Sequence, residues 1–218
     1  MTRRSFALLI AVLLACPQAQ AETAATYSGF PNLFNVTGVS ADDVLNVRAQ
    51  PDASAPILTT LPPQRTGIEG LGLSDSGTWV HVAFGETTGW VNARFLSAQP
   101  PRPAGALPSP MRCHGTEPFW GLNFPNGSFA EFERLPDPEI PFSVTFQSTA
   151  IGRQSGDIVA RLTGTGDPQP PVQGTLTLRH EMCSDGMSDR SFGLSILFLL
   201  ERGDTPELYS GCCSLTTP

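Results

Sequence analysis

Five prolines fall within the thirteen residues Ala98-Gln99-Pro100-Pro101-Arg102-Pro103-Ala104-Gly105-Ala106-Leu107-Pro108-Ser109-Pro110. Proline has no amide proton and a fixed φ, so this run excludes helix and central strand. It reads as a semi-extended spacer that leaves two segments, 33–97 and 111–218. A chain of 218 residues is too short for a large multidomain enzyme and long enough for two small domains. Gly and Pro together make 21 + 21 = 42 residues, about a fifth of the chain against roughly 12% on average. That composition disfavours a helical bundle and favours short strands joined by turns.

The chain has no lysine; 13 arginines face 20 acidic residues, for a formal charge of −7. Phosphate neutralisation needs clustered positive charge, so this balance speaks against nucleic acid as a partner. The first residues, Met1 to Ala21, combine a basic Arg3-Arg4 pair, an apolar run from Phe6 to Ala15 and a small-residue Ala19-Gln20-Ala21 site. This is the pattern of a cleaved secretory signal peptide, and it predicts a periplasmic or otherwise exported protein. Cleavage after Ala21 removes two arginines and no acid, giving 11 − 20 = −9. A rival cleavage at Leu13-Leu14-Ala15-Cys16 leaves Cys16 as a lipid anchor, but Pro17 follows it directly. No apolar run reaches the roughly 20 residues of a membrane span.

Four cysteines remain beyond the signal: Cys113, Cys183, Cys212 and Cys213. An even count in an exported chain predicts two disulfides. A vicinal Cys212–Cys213 bridge is strained, which leaves two schemes tying Cys113 and Cys183 to the terminal pair. Closing a loop of about 100 residues is worth roughly 4–5 kcal/mol in the chain-entropy model.

The segment 33–97 holds strand-like runs at Leu45–Arg48, Ile57–Leu61, Gly67–Leu71, Trp79–Phe84 and Gly89–Val91, with turn residues between them. Trp79, His81 and Ala83 share one face of their run, and Val80, Val82 and Phe84 the other. Five short strands predict a small barrel. The elements Val44-Leu45-Asn46-Val47-Arg48-Ala49-x-Pro51, Gly77-x-Trp79-x-x-Val82, Gly89-Trp90-Val91 and Phe95-Leu96 resemble a bacterial SH3-like domain. Where that family usually carries Xaa-Gly, this chain has Pro63-Gln64. The resemblance implies a module that engages a peptide, a protein or a cell-wall component, with no catalytic role. Trp79 and Trp90 are the candidate ligand contacts, because tryptophan is favoured at recognition surfaces; the alternative is that they fill a small core.

The segment 111–218 is also strand-rich. Phe192, Leu194, Ile196, Phe198 and Leu200 alternate along one run as in a strand lining a barrel or sandwich. No run of ten or more residues has helical period. We expect an all-β chain: an SH3-like small barrel, then an antiparallel β-barrel of about eight strands stapled by disulfides. Three blocks, Cys113-His114-Gly115-Thr116-Glu117-Pro118-Phe119-Trp120, Cys183-Ser184-Asp185-Gly186-Met187-Ser188-Asp189-Arg190 and Gly211-Cys212-Cys213, resemble a family of uncharacterised bacterial exported proteins and lipoproteins. The resemblance implies that the blocks form one site or one structural cluster.

Glu117, Trp120, Asp185, Asp189 and Arg190 are the candidate ligand-binding residues of this half. Arg190 paired with Glu117 or Asp189 would fix the loop geometry. The leading function is therefore an envelope binding or docking protein without cofactor. One alternative is a cell-wall hydrolase using Glu117 with Asp185 or Asp189 as acid and base. The other is metal binding by His114, His180 and the cysteines, which oxidation of the thiols would defeat. Haem c attachment lacks its Cys-x-x-Cys-His, and no phosphate loop opens a helix.

Overall fold

The computed structural model describes residues 29–100, 102–103, 105–149, 156–165 and 171–216. The signal peptide and Cys16 lie outside the described residues. Every regular element described is a strand apart from one 3-10 turn at Ala93–Phe95.

Seven strands form the first sheet: β1 (Asn32–Val36), β2 (Leu45–Arg48), β3 (Ile57–Leu61), β4 (Ile68–Leu73), β5 (Trp79–Phe84), β6 (Thr87–Asn92) and β7 (Leu96–Ala98). Their order is β3-β2-β6-β5-β4-β1-β7, with β3 and β7 at the edges. Five strands were predicted; β1 and β7 are added. Phe34, Val36, Leu45, Val47, Ile68, Val80, Val82 and Val91 form its core. Glycine sets how closely the layers approach. A Cβ at Gly89 would stand 2.6 Å from Val47 Cγ1, and one at Gly70 would stand 2.5 Å from Phe34 Cε2. The glycine of Gly89-Trp90-Val91 is thus a packing requirement.

Eight further strands follow: β8 (Met111–Thr116), β9 (Phe119–Asn126), β10 (Phe129–Glu133), β11 (Ile140–Thr149), β12 (Ile158–Gly164), β13 (Val172–Arg179), β14 (Leu194–Arg202) and β15 (Thr205–Leu215). Each pairs antiparallel with the next, and β15 closes onto β8 through Cys212↔His114 and Cys213↔Cys113. The result is a closed up-and-down barrel, which leaves no free strand edge. Alternation fills its interior: Leu194, Ile196, Phe198 and Leu200 from β14 meet Leu122, Phe124, Phe132, Phe142, Leu162 and Leu176. Arg161, Gln173 and Arg179 occupy the intervening outward positions of β12 and β13. Among the described residues, no helix is long and apolar enough to cross a membrane.

The disulfides are Cys113–Cys213 and Cys183–Cys212. The first lies in the barrel core. Because Cys212 and Cys213 are adjacent on a strand, their side chains leave on opposite faces. Cys212 therefore reaches outward to the segment between β13 and β14, where Cys183 sits.

The proline-rich stretch is anchored at both ends. Leu107 is buried in the barrel core, and its amide donates to Gln147 Oε1 at 2.7 Å. At the other end, the Gln99 amide donates to the Leu33 carbonyl at 2.8 Å. Leu107 is the apolar anchor among the prolines, and the run is a strap packed onto the barrel at that residue. Leu33 itself belongs to the barrel cluster, while Phe34 and Val36 belong to the sheet cluster. Strand β1 thus serves both cores through its two faces.

Candidate functional site

Cross-strand register places Arg48 opposite Trp90, Trp90 opposite His81, and Ala83 opposite Glu69. Directly opposed residues point to the same side. Arg48, Trp90, His81, Ala83 and Glu69 therefore make a row across one face of the sheet. At one end of the row the Trp90 and His81 rings stack with centroids 4.6 Å apart, and both are partly exposed. Burial lowers the His81 pKa, so its ring is neutral near pH 7 and offers an apolar stacking partner. Arg48 Nη1 donates to the Ala55 carbonyl at 2.7 Å, holding the loop beside the pair. Trp79, the other tryptophan singled out, is buried.

At the opposite end of the row the barrel covers the sheet. Glu69 is 4% exposed. Arg190 Nη2 donates to its Oε2 at 2.9 Å, and the Leu215 amide donates to its Oε1 at 2.7 Å. Burial pushes the Glu69 carboxyl up, against the opposing pull of the Leu215 amide and Arg190. Arg190 Nη1 also donates to the Gly85 carbonyl at 3.0 Å. The sequence reading paired Arg190 with Glu117 or Asp189; its partner is instead an acid 121 residues away. Glu69 had been passed over as one residue of the strand-like run Gly67–Leu71, yet an acid between Ile68 and Leu71 was the available signal.

The three motif blocks of the barrel meet in space. Trp120 is buried and packs against Tyr209, Phe132 and Phe198 at centroid distances of 5.5, 6.2 and 6.4 Å. Gly115 and Gly211 make room for it: a Cβ at Gly115 would lie 2.1 Å from Trp120 Nε1, and one at Gly211 would lie 2.0 Å from the His114 carbonyl oxygen. Thr116 Oγ1 donates to the Asp185 carbonyl at 3.1 Å. Asp185 Oδ1 accepts the Met187 and Ser188 amides, both at 3.0 Å, and His114 Nε2 lies 3.7 Å from Oδ2. Burial raises the Asp185 carboxyl, but those amides, the Ser188 hydroxyl and His114 outweigh it and hold the pKa below the ordinary value. Glu117 and Asp189 are exposed. Cys113, Cys183, Cys212 and Cys213 are all oxidised, which removes the thiolates that metal ligation there would have used.

Beside the β8–β9 hairpin lies an open concavity of about 1150 Å³, lined by His114, Thr116, Phe119, Trp120, Arg134 and Leu135 among others. Phe119 is 68% and Leu135 93% exposed. Below them Arg134 Nη1 donates to Glu207 Oε1 at 2.7 Å and to Tyr209 Oη, and Nη2 donates to Asp137 Oδ2 at 2.7 Å. Burial and then Glu207 push the Tyr209 hydroxyl up to about 12. Arg134 lies directly before the turn at Leu135-Pro136, and the sequence reading singled out neither it nor Tyr209. An arginine directly before such a turn carried too little pattern to single it out.

The row of side chains on the first sheet lies within a stretch that matches a known domain model. Residues 43–97 match the bacterial SH3 domain. The match covers 55 of the 218 residues and spans β2 to β7. Strand β1, which pairs with both β4 and β7, precedes it. No curated protein matches the chain, and no solved structure does.

Proposed function

We propose that this protein is an exported, non-catalytic binding protein of the bacterial cell envelope, whose SH3-like unit engages a peptide or cell-wall component through the Trp90–His81 face. The observation that carries this reading is the partly exposed aromatic stack, on a unit matching the bacterial SH3 domain, at the end of the row that the barrel leaves uncovered. A flat neutral stack with an arginine alongside suits a peptide or amino-sugar surface, since aromatic and arginine side chains supply most recognition energy. The basic and apolar start of the chain and the two cystines support export into an oxidising compartment. The barrel acts as a rigid support. The carboxylates support this reading over hydrolysis: Asp185 is committed to the Met187 and Ser188 amides, and Glu117 sits at an exposed turn.

The test is co-sedimentation of the purified protein with isolated peptidoglycan and with peptidoglycan stem peptides on beads, comparing wild type with Trp90→Ala. Retention of wild type and loss of at least roughly tenfold in the variant, with the barrel still folded, is expected for a central aromatic contact. Equal retention of both proteins, or of neither, would refute the reading.

A further inference from the structure

The Glu69 carboxylate is gripped by two arms of the barrel, and a cystine anchors each. Leu215 lies two residues beyond Cys213, whose partner is Cys113. Arg190 lies seven residues beyond Cys183, whose partner is Cys212. The two cystines differ in access. Cys113 and Cys213 are 0% exposed within the barrel core, and Cys212 is 1% exposed, whereas Cys183 is partly exposed. The Arg190 arm is a loop whose neck is the Cys183–Phe192 bridge, closed by two backbone hydrogen bonds of 2.8 and 2.9 Å. The Arg190 guanidinium lies 5.0 Å from the Phe192 ring centroid, and His114 meets that ring edge-on at 5.1 Å. Besides the main chain, which runs back from Cys183 to β13 and on from Phe192 to β14, the Cys183–Cys212 bond is the covalent tie between the neck and β15.

We propose that the Cys183–Cys212 disulfide is a redox latch on the seam between the SH3-like unit and the barrel, and that its reduction by a dithiol releases Arg190 from Glu69 and opens the seam. A thiolate of the dithiol attacks the Cys183 sulfur, the Cys183–Cys212 bond breaks, and Cys212 leaves as a thiolate that takes up a proton. The second thiol of the reductant then displaces Cys183 from the mixed disulfide. The protein gains two electrons and two protons as two thiols, and the dithiol ends as a disulfide. The buried Cys113–Cys213 bond is out of reach and keeps the barrel closed. With the neck unpinned, Glu69 retains only the Leu215 amide, and a buried carboxylate short of its cation disfavours the docked arrangement. The Trp90–His81 stack lies on the same face as Glu69, so opening uncovers more of that face. The latch does not depend on which ligand the face takes.

The full protein is titrated with dithiothreitol, trapped with iodoacetamide and mapped by mass spectrometry. At each point, cleavage of the 98–110 strap by a broad-specificity protease and the radius of gyration are recorded. Labelling at Cys183 and Cys212 ahead of Cys113 and Cys213 is expected, with strap cleavage rising roughly tenfold and the radius of gyration growing at that step. The Cys183→Ser/Cys212→Ser variant should be open without reductant. Arg190→Ala should be open with both disulfides intact. The inference is overturned if strap cleavage and radius stay at oxidised values once Cys183 and Cys212 are labelled, or if all four cysteines label together as the barrel unfolds. The titration of wild type stands even if a serine variant fails to fold.

Discussion

Replacing Gly211 with alanine tests the packing that joins the three motif blocks. An added Cβ would stand 2.0 Å from the His114 carbonyl oxygen, 2.7 Å from its carbon and 2.9 Å from Trp120 Cζ2. The first two atoms are backbone, so no rotamer change relieves the contact. Strand β8 must move by roughly an ångström, at the point where Cys212 pairs with His114. Overpacking of this kind costs about 1–3 kcal/mol, and the loss of one or two ladder hydrogen bonds adds about 1 kcal/mol each. Relief of glycine's backbone entropy returns about 0.4–1 kcal/mol. The net expectation is a loss of about 3 kcal/mol. With a urea slope of about 2 kcal/mol/M, the barrel midpoint falls by about 1.5 M. The measurement is urea unfolding of the oxidised protein, with the barrel transition read from hydrogen exchange of the β13–β14 amides, because two units need not unfold in one step. Gly72→Ala is the control: its Cβ would meet nothing within 4 Å, so that variant should stay within about 0.5 kcal/mol of wild type. A Gly211→Ala midpoint equal to that of Gly72→Ala would refute the packing assignment.

Three further expectations follow from the same contacts. Arg190→Ala leaves a buried Glu69 and should weaken docking by about 3–5 kcal/mol, whereas Glu69→Leu with Arg190→Met should recover most of that loss; protease cleavage of the 98–110 strap reads both. The lowered His81 pKa means the folded sheet takes up its proton less readily than the unfolded chain. Its stabilisation is therefore full above the ordinary value of 6.5 and lost as pH falls below it through the depressed folded value. Exchange rates of β5 and β6 amides between pH 8 and 5 should show that slope, and His81→Gln should flatten it. Removing the core cystine with Cys113→Ala/Cys213→Ala opens a loop of sequence separation 100 and should cost up to about 4–5 kcal/mol in urea unfolding.

Much of the architecture was legible because alternation is a local signal. Trp79–Phe84 is a strand with the same bounds as its sequence reading, and Leu194, Ile196, Phe198 and Leu200 line the barrel on the face their alternation marks, whereas Phe192 lies outside β14, bridged to Cys183. Strand β1 was not legible: Asn32-Leu33-Phe34-Asn35-Val36 has no sustained alternation, because Leu33 and Phe34 are each buried in a different core. The anchoring of the proline-rich stretch was illegible for a related reason. Proline density reports what backbone geometry is excluded, and only Leu107 hinted that the run is packed. The motif blocks were read as one site or one structural cluster, and they meet through Thr116 with Asp185, Cys183 with Cys212, and Gly115 and Gly211 against Trp120. The partner of Arg190 was invisible, since an ion pair 121 residues apart depends on how the two units dock, and pairing by proximity in sequence favours nearer acids.

The most direct test of the central claim is hydrogen exchange of the full protein with and without muropeptides released from peptidoglycan. The account predicts added protection at β5 and β6 around His81 and Trp90, with the rim at Phe119 and Leu135 unchanged. Protection confined to that barrel rim, or none on the SH3-like unit at saturating muropeptide, would contradict it.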